Sequence, residues 1–189
     1  MAIKTFTTGE VLTAADTNTY LANSGLVYIA SLTVSGQQLG SVNSCFTSSF
    51  DSYRLVISFG ASNVNNALFI RMRASGSDEA GIVYRYAYRG LNAAGGNEDS
   101  SNNGATSIYV GNVPTTAGRS FATLDIFNPQ KATYTVTNTN CNFVDAGGTL
   151  WRGGAGSVIT TTQYDGFTIL VGTGNTFSCD ARLYGYRQV

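Results

Sequence analysis

An all-β chain, an antiparallel β-sandwich or jelly roll behind a short N-terminal arm with one short helix, is the architecture expected here. Apolar and polar residues alternate with a period of two along about ten segments after Gly25. Clusters of Gly, Ser, Thr and Asn separate those segments at short intervals, and helical periodicity is almost absent beyond the arm. The expected division is a short arm over residues 1–25 and a β domain over residues 26–189, a length that suits one domain with a proper core.

In the arm, Thr13-Ala14-Ala15-Asp16 has the form of a capping box, with Asp in the place usually taken by Glu. A helix is expected from Ala14 to about Ala22, ending at Asn23-Ser24-Gly25, where glycine accepts the left-handed conformation. Two or three turns are too few for stability in water, so this helix must dock. Its apolar handles are Leu12, Tyr20 and Leu21, and either its own domain or another chain is open as the docking partner.

The strands follow in order. Leu26–Val34 opens the series, and Tyr53, Leu55, Ile57 and Phe59 share one face of the next segment. Leu68, Ile70 and Met72 then oppose Arg71 and Arg73, and Ile82, Tyr84, Tyr86 and Tyr88 oppose Val83, Arg85, Ala87 and Arg89. Shorter strands are expected at Thr106–Val110, Ser120–Phe127, Thr133–Thr139, Ser157–Gln163, Phe167–Val171 and Thr176–Tyr186. Turns are expected at Ala74–Ser77, Thr115–Gly118, Ala146–Gly148 and Gly172–Asn175. Gly90–Ala105, rich in Gly, Asn and Ser, reads as a long loop of the kind that carries function. An internal echo pairs Phe50-Asp51-Ser52-Tyr53 with Tyr164-Asp165-Gly166-Phe167, each an Asp-small entry into an apolar strand, as in two halves of a double Greek key.

Composition narrows the chemistry. Eleven cationic side chains balance eleven anionic ones, and charged residues are only 12% of the chain, so clustered cations for nucleic acid are not expected. The chain has no histidine, which removes Ser-His and Cys-His nucleophiles, imidazole metal sites and a histidine base. Carboxylate-only catalysis survives, such as that of a glycosidase with two Asp/Glu groups. Cys45, Cys141 and Cys179 are odd in number and lack a CxxC spacing, so they read as small buried hydrophobes in a reducing compartment. Neither a secretory leader nor an apolar run of ~18 residues is apparent, and a soluble protein made in a cytoplasm is expected. No cofactor, metal or membrane insertion is expected.

The acidic pairs Asp78-Glu79 and Glu98-Asp99 read as solvated turn carboxylates, since neither has the close oxygen spacing of a calcium loop. Gly172-Thr173-Gly174-Asn175 lacks the following helix and Lys of a phosphate cradle. Tyr84, Tyr86 and Tyr88 form either a core face or a stacking surface, and the nearby Asn97, Glu98, Asp99, Asn102 and Asn103 are candidate receptor or interface residues. Arg outnumbers Lys nine to two, which together with the Tyr and Phe content favours sheet faces covered by neighbouring subunits.

Two segments carry a family likeness. The run Phe6-Thr7-Thr8-Gly9-Glu10-Val11-Leu12-Thr13-Ala14-Ala15-Asp16-Thr17-Asn18-Thr19-Tyr20-Leu21 resembles the opening of many tailed-bacteriophage virion proteins. The close, Ala181-Arg182-Leu183-Tyr184-Gly185-Tyr186-Arg187, is similar to that of phage tail and appendage proteins, and Phe50–Val56 also resembles that group. The resemblance implies a non-enzymatic virion structural protein, a homotrimeric short tail fibre or appendage synthesised in the host cytoplasm. In it Phe6, Val11, Leu12, Thr13, Asp16, Tyr20 and Leu21 would form the attachment arm to other virion proteins, with the jelly roll projecting toward a host-surface glycan. A capsid decoration or cement protein is the first alternative, because no heptad or β-helix shaft separates arm from head. A polysaccharide depolymerase using Glu98 and Asp99 is the second.

Overall fold

The computed structural model describes residues 7–16, 25–116, 120–145 and 148–187. In the arm, α1 occupies Ala14–Asp16, and the capping box is present: the Asp16 amide donates to Thr13 Oγ1 at 3.1 Å while the Thr13 amide donates to Asp16 Oδ2 at 3.1 Å. The rest of the expected helix, with Tyr20 and Leu21, and Phe6 before it, lies outside the described residues.

Thirteen strands follow among the described residues. They are β1 (Leu26–Gln37), β2 (Leu39–Val42), β3 (Ser52–Ser62), β4 (Asn66–Ala74), β5 (Ser77–Asp78), β6 (Tyr84–Asn92), β7 (Ser100–Ala105) and β8 (Ile108–Val113), then β9 (Ser120–Phe127), β10 (Thr135–Asp145), β11 (Gly148–Val158), β12 (Gly166–Val171) and β13 (Phe177–Tyr186). All pairings between them are antiparallel. The larger sheet has the order β1-β13-β3-β9-β10-β11-β6-β7; the smaller runs β2-β12-β4-β5, with β8 also paired to β4. The chain is therefore an all-β antiparallel sandwich of the jelly-roll kind, as the alternation implies.

The apolar alternates meet between the sheets. Tyr53, Leu55 and Ile57 on β3, Leu124 and Ile126 on β9, and Leu183 on β13 face Leu68, Ile70, Phe167 and Ile169 of the smaller sheet, all at most 1% exposed. The two echo segments enter strands in opposite sheets, and Phe46 bridges them, its ring 4.7 Å from Tyr53 and 6.0 Å from Phe167. Ser75 and Gly76, both with positive φ, make the tight β4–β5 turn, and the Asn175 amide closes the expected Gly172 turn at 3.1 Å. The three cysteines are free and buried.

Two expectations are corrected. Gly90–Ala105 is not a long loop: β6 continues to Asn92, and β7 returns beside it. Asn92 organises the turn, its Oδ1 accepting the amides of Ala94 (3.1 Å) and Gly96 (2.8 Å). Polar, Gly-rich residues form this edge hairpin because backbone pairing, which composition does not report, holds it. The strand expected at Ser157–Gln163 instead spans Gly148–Val158 as β11, and residues 159–163 are in no strand. Its glycines hid it, and they serve close packing: a Cβ on Gly156 would stand 2.7 Å from Ile108 of β8, which crosses here.

Candidate functional site

The larger sheet has eight strands, and β8, paired to β4 of the smaller sheet, packs across β6, β10 and β11. The tyrosine stripe on β6 divides accordingly. Tyr84 is core: it is fully buried, its hydroxyl donates to the Glu79 carbonyl at 2.8 Å and it accepts the Met72 amide at 3.0 Å. Its candidacy as a receptor contact is thereby corrected. Tyr86 and Tyr88 lie farther along the same face and are half-buried. Their rings are nearly parallel, 10° apart with centroids at 6.4 Å, and Tyr109 of β8 stacks on Tyr88 at 4.3 Å.

Arg152 sits against this stack. Alternation along β11 turns it inward, and it is only 8% exposed. Its guanidinium carbon lies 5.2 Å from the Phe143 ring centre, 5.3 Å from Tyr88 and 5.7 Å from Tyr109, within cation–π range. Its Nη2 donates to Glu98 Oε2 at 2.8 Å and its Nη1 to the Tyr109 hydroxyl. Burial opposes its charge, but the Tyr109 and Glu98 contacts outweigh that and raise its pKa. Burial likewise pushes the Tyr109 hydroxyl upward. The cluster locks a cation in place and ties the β6–β7 turn to β11.

Beside it opens a cleft of about 490 Å³ whose walls include Phe69 and Arg71 of β4, Tyr86 of β6, Asn102 of β7, Thr106, and Leu170 of β12. The Phe69 ring meets Tyr109 edge-on at 6.1 Å, joining the cleft wall to the tyrosine stack. Arg71 Nε donates to the Thr106 carbonyl at 3.0 Å, which orients its guanidinium. Its neighbour Arg73 is spent on Asp78, Thr168, Ser41, Asn43 and the Gly76 carbonyl. Aromatic faces, amides, hydroxyls and one guanidinium are the chemistry of this cleft, which suits a hydroxylated ring compound.

The remaining candidates scatter. Asn102 lines the cleft and its Oδ1 also accepts the Gly104 amide at 3.0 Å. Asn103 lines a different depression, of about 430 Å³, with Arg85 and Val136. Asn97 is exposed at the turn and bridges to Leu91. Asp99 pairs with Arg89 at 3.6 Å on the surface, an interaction of little energetic weight. In the arm, Val11 is 77% and Leu12 48% exposed, and Thr13 and Asp16 are engaged in the cap.

Sequence reasoning missed Phe69, Arg71, Tyr109 and Arg152, because only the fold brings β4, β8 and β11 beside β6. It also missed Trp151, the one tryptophan, whose single occurrence in a Gly-rich run was the available signal. On the outer face of the larger sheet Phe121, Asn142, Trp151 and Leu91 lie side by side across four strands. The Trp151 indole lies over Gly153, where a Cβ would come within 2.8 Å of it, and its Nε1 donates to Asn140 Oδ1 at 2.8 Å.

Among the described residues there is no group of three or more Cys, Asp and Glu side chains able to hold a metal ion, and no helix is long and apolar enough to cross a membrane. No family model matches the chain, and no curated protein matches it. Among solved structures the chain is similar to a galectin from Caenorhabditis elegans, at 11% identity over 80% of this chain and 94% of that one, with a TM-score of 0.35. It is also similar to an exo-inulinase from Aspergillus awamori, at 17% identity over 89% of this chain and 31% of that one, with a TM-score of 0.40. A Shewanella oneidensis protein of unknown function aligns over 95% of this chain at 9% identity and a TM-score of 0.24. The architecture rests on the strand pairing itself.

Proposed function

We propose that this chain is a non-enzymatic virion structural protein of a tailed bacteriophage, a short tail-fibre or appendage subunit. Its arm anchors it to other virion proteins, and its sandwich projects as a glycan-recognising head that assembles with copies of itself as a trimer. The observation that carries this reading is the state of the arm. Residues 7–15 are all exposed, including the apolar Val11 and Leu12, while a capping box starts a helix at Ala14. A short helix preceded by exposed apolar side chains gains its stability from a partner surface. The cleft beside Tyr86 supplies the head with a sugar-sized site, and repeated copies would turn weak single-site affinity into avidity.

The carboxylates favour recognition over hydrolysis. Glu98 is engaged by Arg152, and neither Glu98 nor Asp99 is among the described residues lining the cleft. A depolymerase is the reading to adopt if the purified protein shortens host polysaccharide and Glu98→Gln or Asp99→Asn abolishes that cleavage. The decoration-protein reading draws support from the outer face of the larger sheet, where Phe121, Trp151 and Leu91 are 43–51% exposed and offer an apolar contact for a shell.

Deleting residues 1–23 tests the arm. The truncated chain is expected to fold and to be missing from assembled particles; incorporation at the normal level refutes the anchor. Copy number per particle separates the two virion roles: a few copies at one vertex indicate an appendage, and many over the shell indicate a decoration protein.

A further inference from the structure

We infer that the cleft between Phe69 and Tyr86 selects an acidic sugar, a pyranose bearing a carboxylate, through Arg71. The inference rests on the reading of the cleft as a glycan site and names the class of glycan. Among the described residues lining the cleft, Arg71 alone carries a formal charge at neutral pH. Its Nε is committed to the Thr106 carbonyl, so the guanidinium is oriented before any ligand arrives, and its side chain is 25% exposed.

Its charge is incompletely balanced. The neighbouring carboxylate, Asp78, stands 4.0 Å from Arg71 Nη1, but it is already held by Arg73 and accepts the Thr168 hydroxyl at 2.6 Å. Two guanidiniums share one carboxylate, which leaves one positive charge, and Arg73 is the one buried in hydrogen bonds. Among the described residues Arg71 makes no hydrogen bond through its terminal nitrogens, which remain the natural partners of a ligand carboxylate. Phe69 and Tyr86 on the walls offer apolar and aromatic faces to the sugar ring, while Asn102 and Thr106 bring amide and hydroxyl groups suited to its substituents. In a protein whose charges are few, a single oriented guanidinium beside two aromatic rings distinguishes an acidic from a neutral sugar.

The test is a printed glycan array carrying uronate-, sialate- and neutral-sugar oligosaccharides. It is probed with the full-length protein biotinylated and displayed on streptavidin to restore avidity. Binding is expected to concentrate on the carboxylate-bearing glycans and to fall as salt rises from 50 to 500 mM. Arg71→Gln should lower that signal at least ten-fold, Arg71→Lys should retain part of it, and Tyr86→Ala should abolish it, with unchanged thermal unfolding as the control for folding. Binding of neutral glycans that Arg71→Gln leaves intact overturns the acidic preference and leaves the glycan site standing. No binding to any printed glycan overturns both.

Discussion

Glu98, on the turn between β6 and β7, places its carboxylate 2.8 Å from the guanidinium of Arg152, on β11. Fifty-four positions separate them in the chain, and their contact fastens the edge hairpin to the sheet beneath the Tyr88–Tyr109 stack. Glu98→Gln removes the charge opposite a guanidinium that is only 10% exposed in its side chain. Because the Glu98 side chain is 36% exposed and solvent screens part of the interaction, the expected loss is about 1–2 kcal/mol rather than the larger cost of a wholly buried pair. Urea denaturation measures the loss, and amide exchange should quicken at residues 93–99; a variant equal to the parent in both would show the pair to be ornamental.

Tyr84 is held at both ends of its hydroxyl. Replacing it by Phe leaves the Met72 amide and the Glu79 carbonyl without that partner in a buried setting. The expected cost is about 1–3 kcal/mol, read as a lower denaturation midpoint with an unchanged slope. Tyr86→Phe, at a half-buried position on the cleft, should cost far less, and equal losses at the two sites would contradict the division of the stripe into core and cleft.

Burial raises all three thiols, Cys141 to about 11 and Cys45 and Cys179 to about 12, against 9.0 for an unperturbed group. Above pH 9 the unfolded chain therefore releases these protons while the folded chain keeps them. Stability is unaffected by the thiols below pH 9 and falls as pH rises through the window to 11–12, by up to ~1.4 kcal/mol per pH unit for each thiol. Urea midpoints at pH 8, 9 and 10 should show the decline, and a Cys45→Ala, Cys179→Ala variant should show a shallower one. A parent profile flat to pH 10 would rule out this linkage. In the native state at pH 8, Ellman's reagent should label none of the three within minutes.

Trp151 reports on its own support. Because an added Cβ on Gly153 would lie 2.8 Å from the indole, Gly153→Ala is expected to lift the ring from the sheet. Fluorescence emission from this single tryptophan should shift to the red and quench more readily with iodide. Asn140→Ala, which removes the acceptor of the Nε1 proton, should produce the same change in smaller measure. An unaltered spectrum in both variants would mean that neither contact sets the ring.

Where the side-chain period survived, the sequence was readable. Ser120–Phe127 was expected as a strand and is β9 to the residue; β3, β4, β12 and β13 lie within a few positions of expectation, because buried branched and aromatic residues fill alternate sites. The Thr13–Asp16 cap was equally plain, since it depends on neighbours in the chain. Reading failed at β7 and β11, where Asn, Ser and Gly form strands through backbone bonds and close approach to other strands.

The candidate site was half visible. Tyr86 and Asn102 are among the residues that the sequence marks as candidates, but alternation does not reveal that Tyr84, two residues before Tyr86, is sealed in the core. Composition and alternation determined that this chain is an antiparallel sandwich with few charges and without histidine chemistry. Only the tertiary structure decided that β4, β6 and β8 converge, that Arg152 is caged and that Arg71 faces a cleft. Alternation reports which residues share a face, and strand order, set by long-range pairing, determines what that face meets.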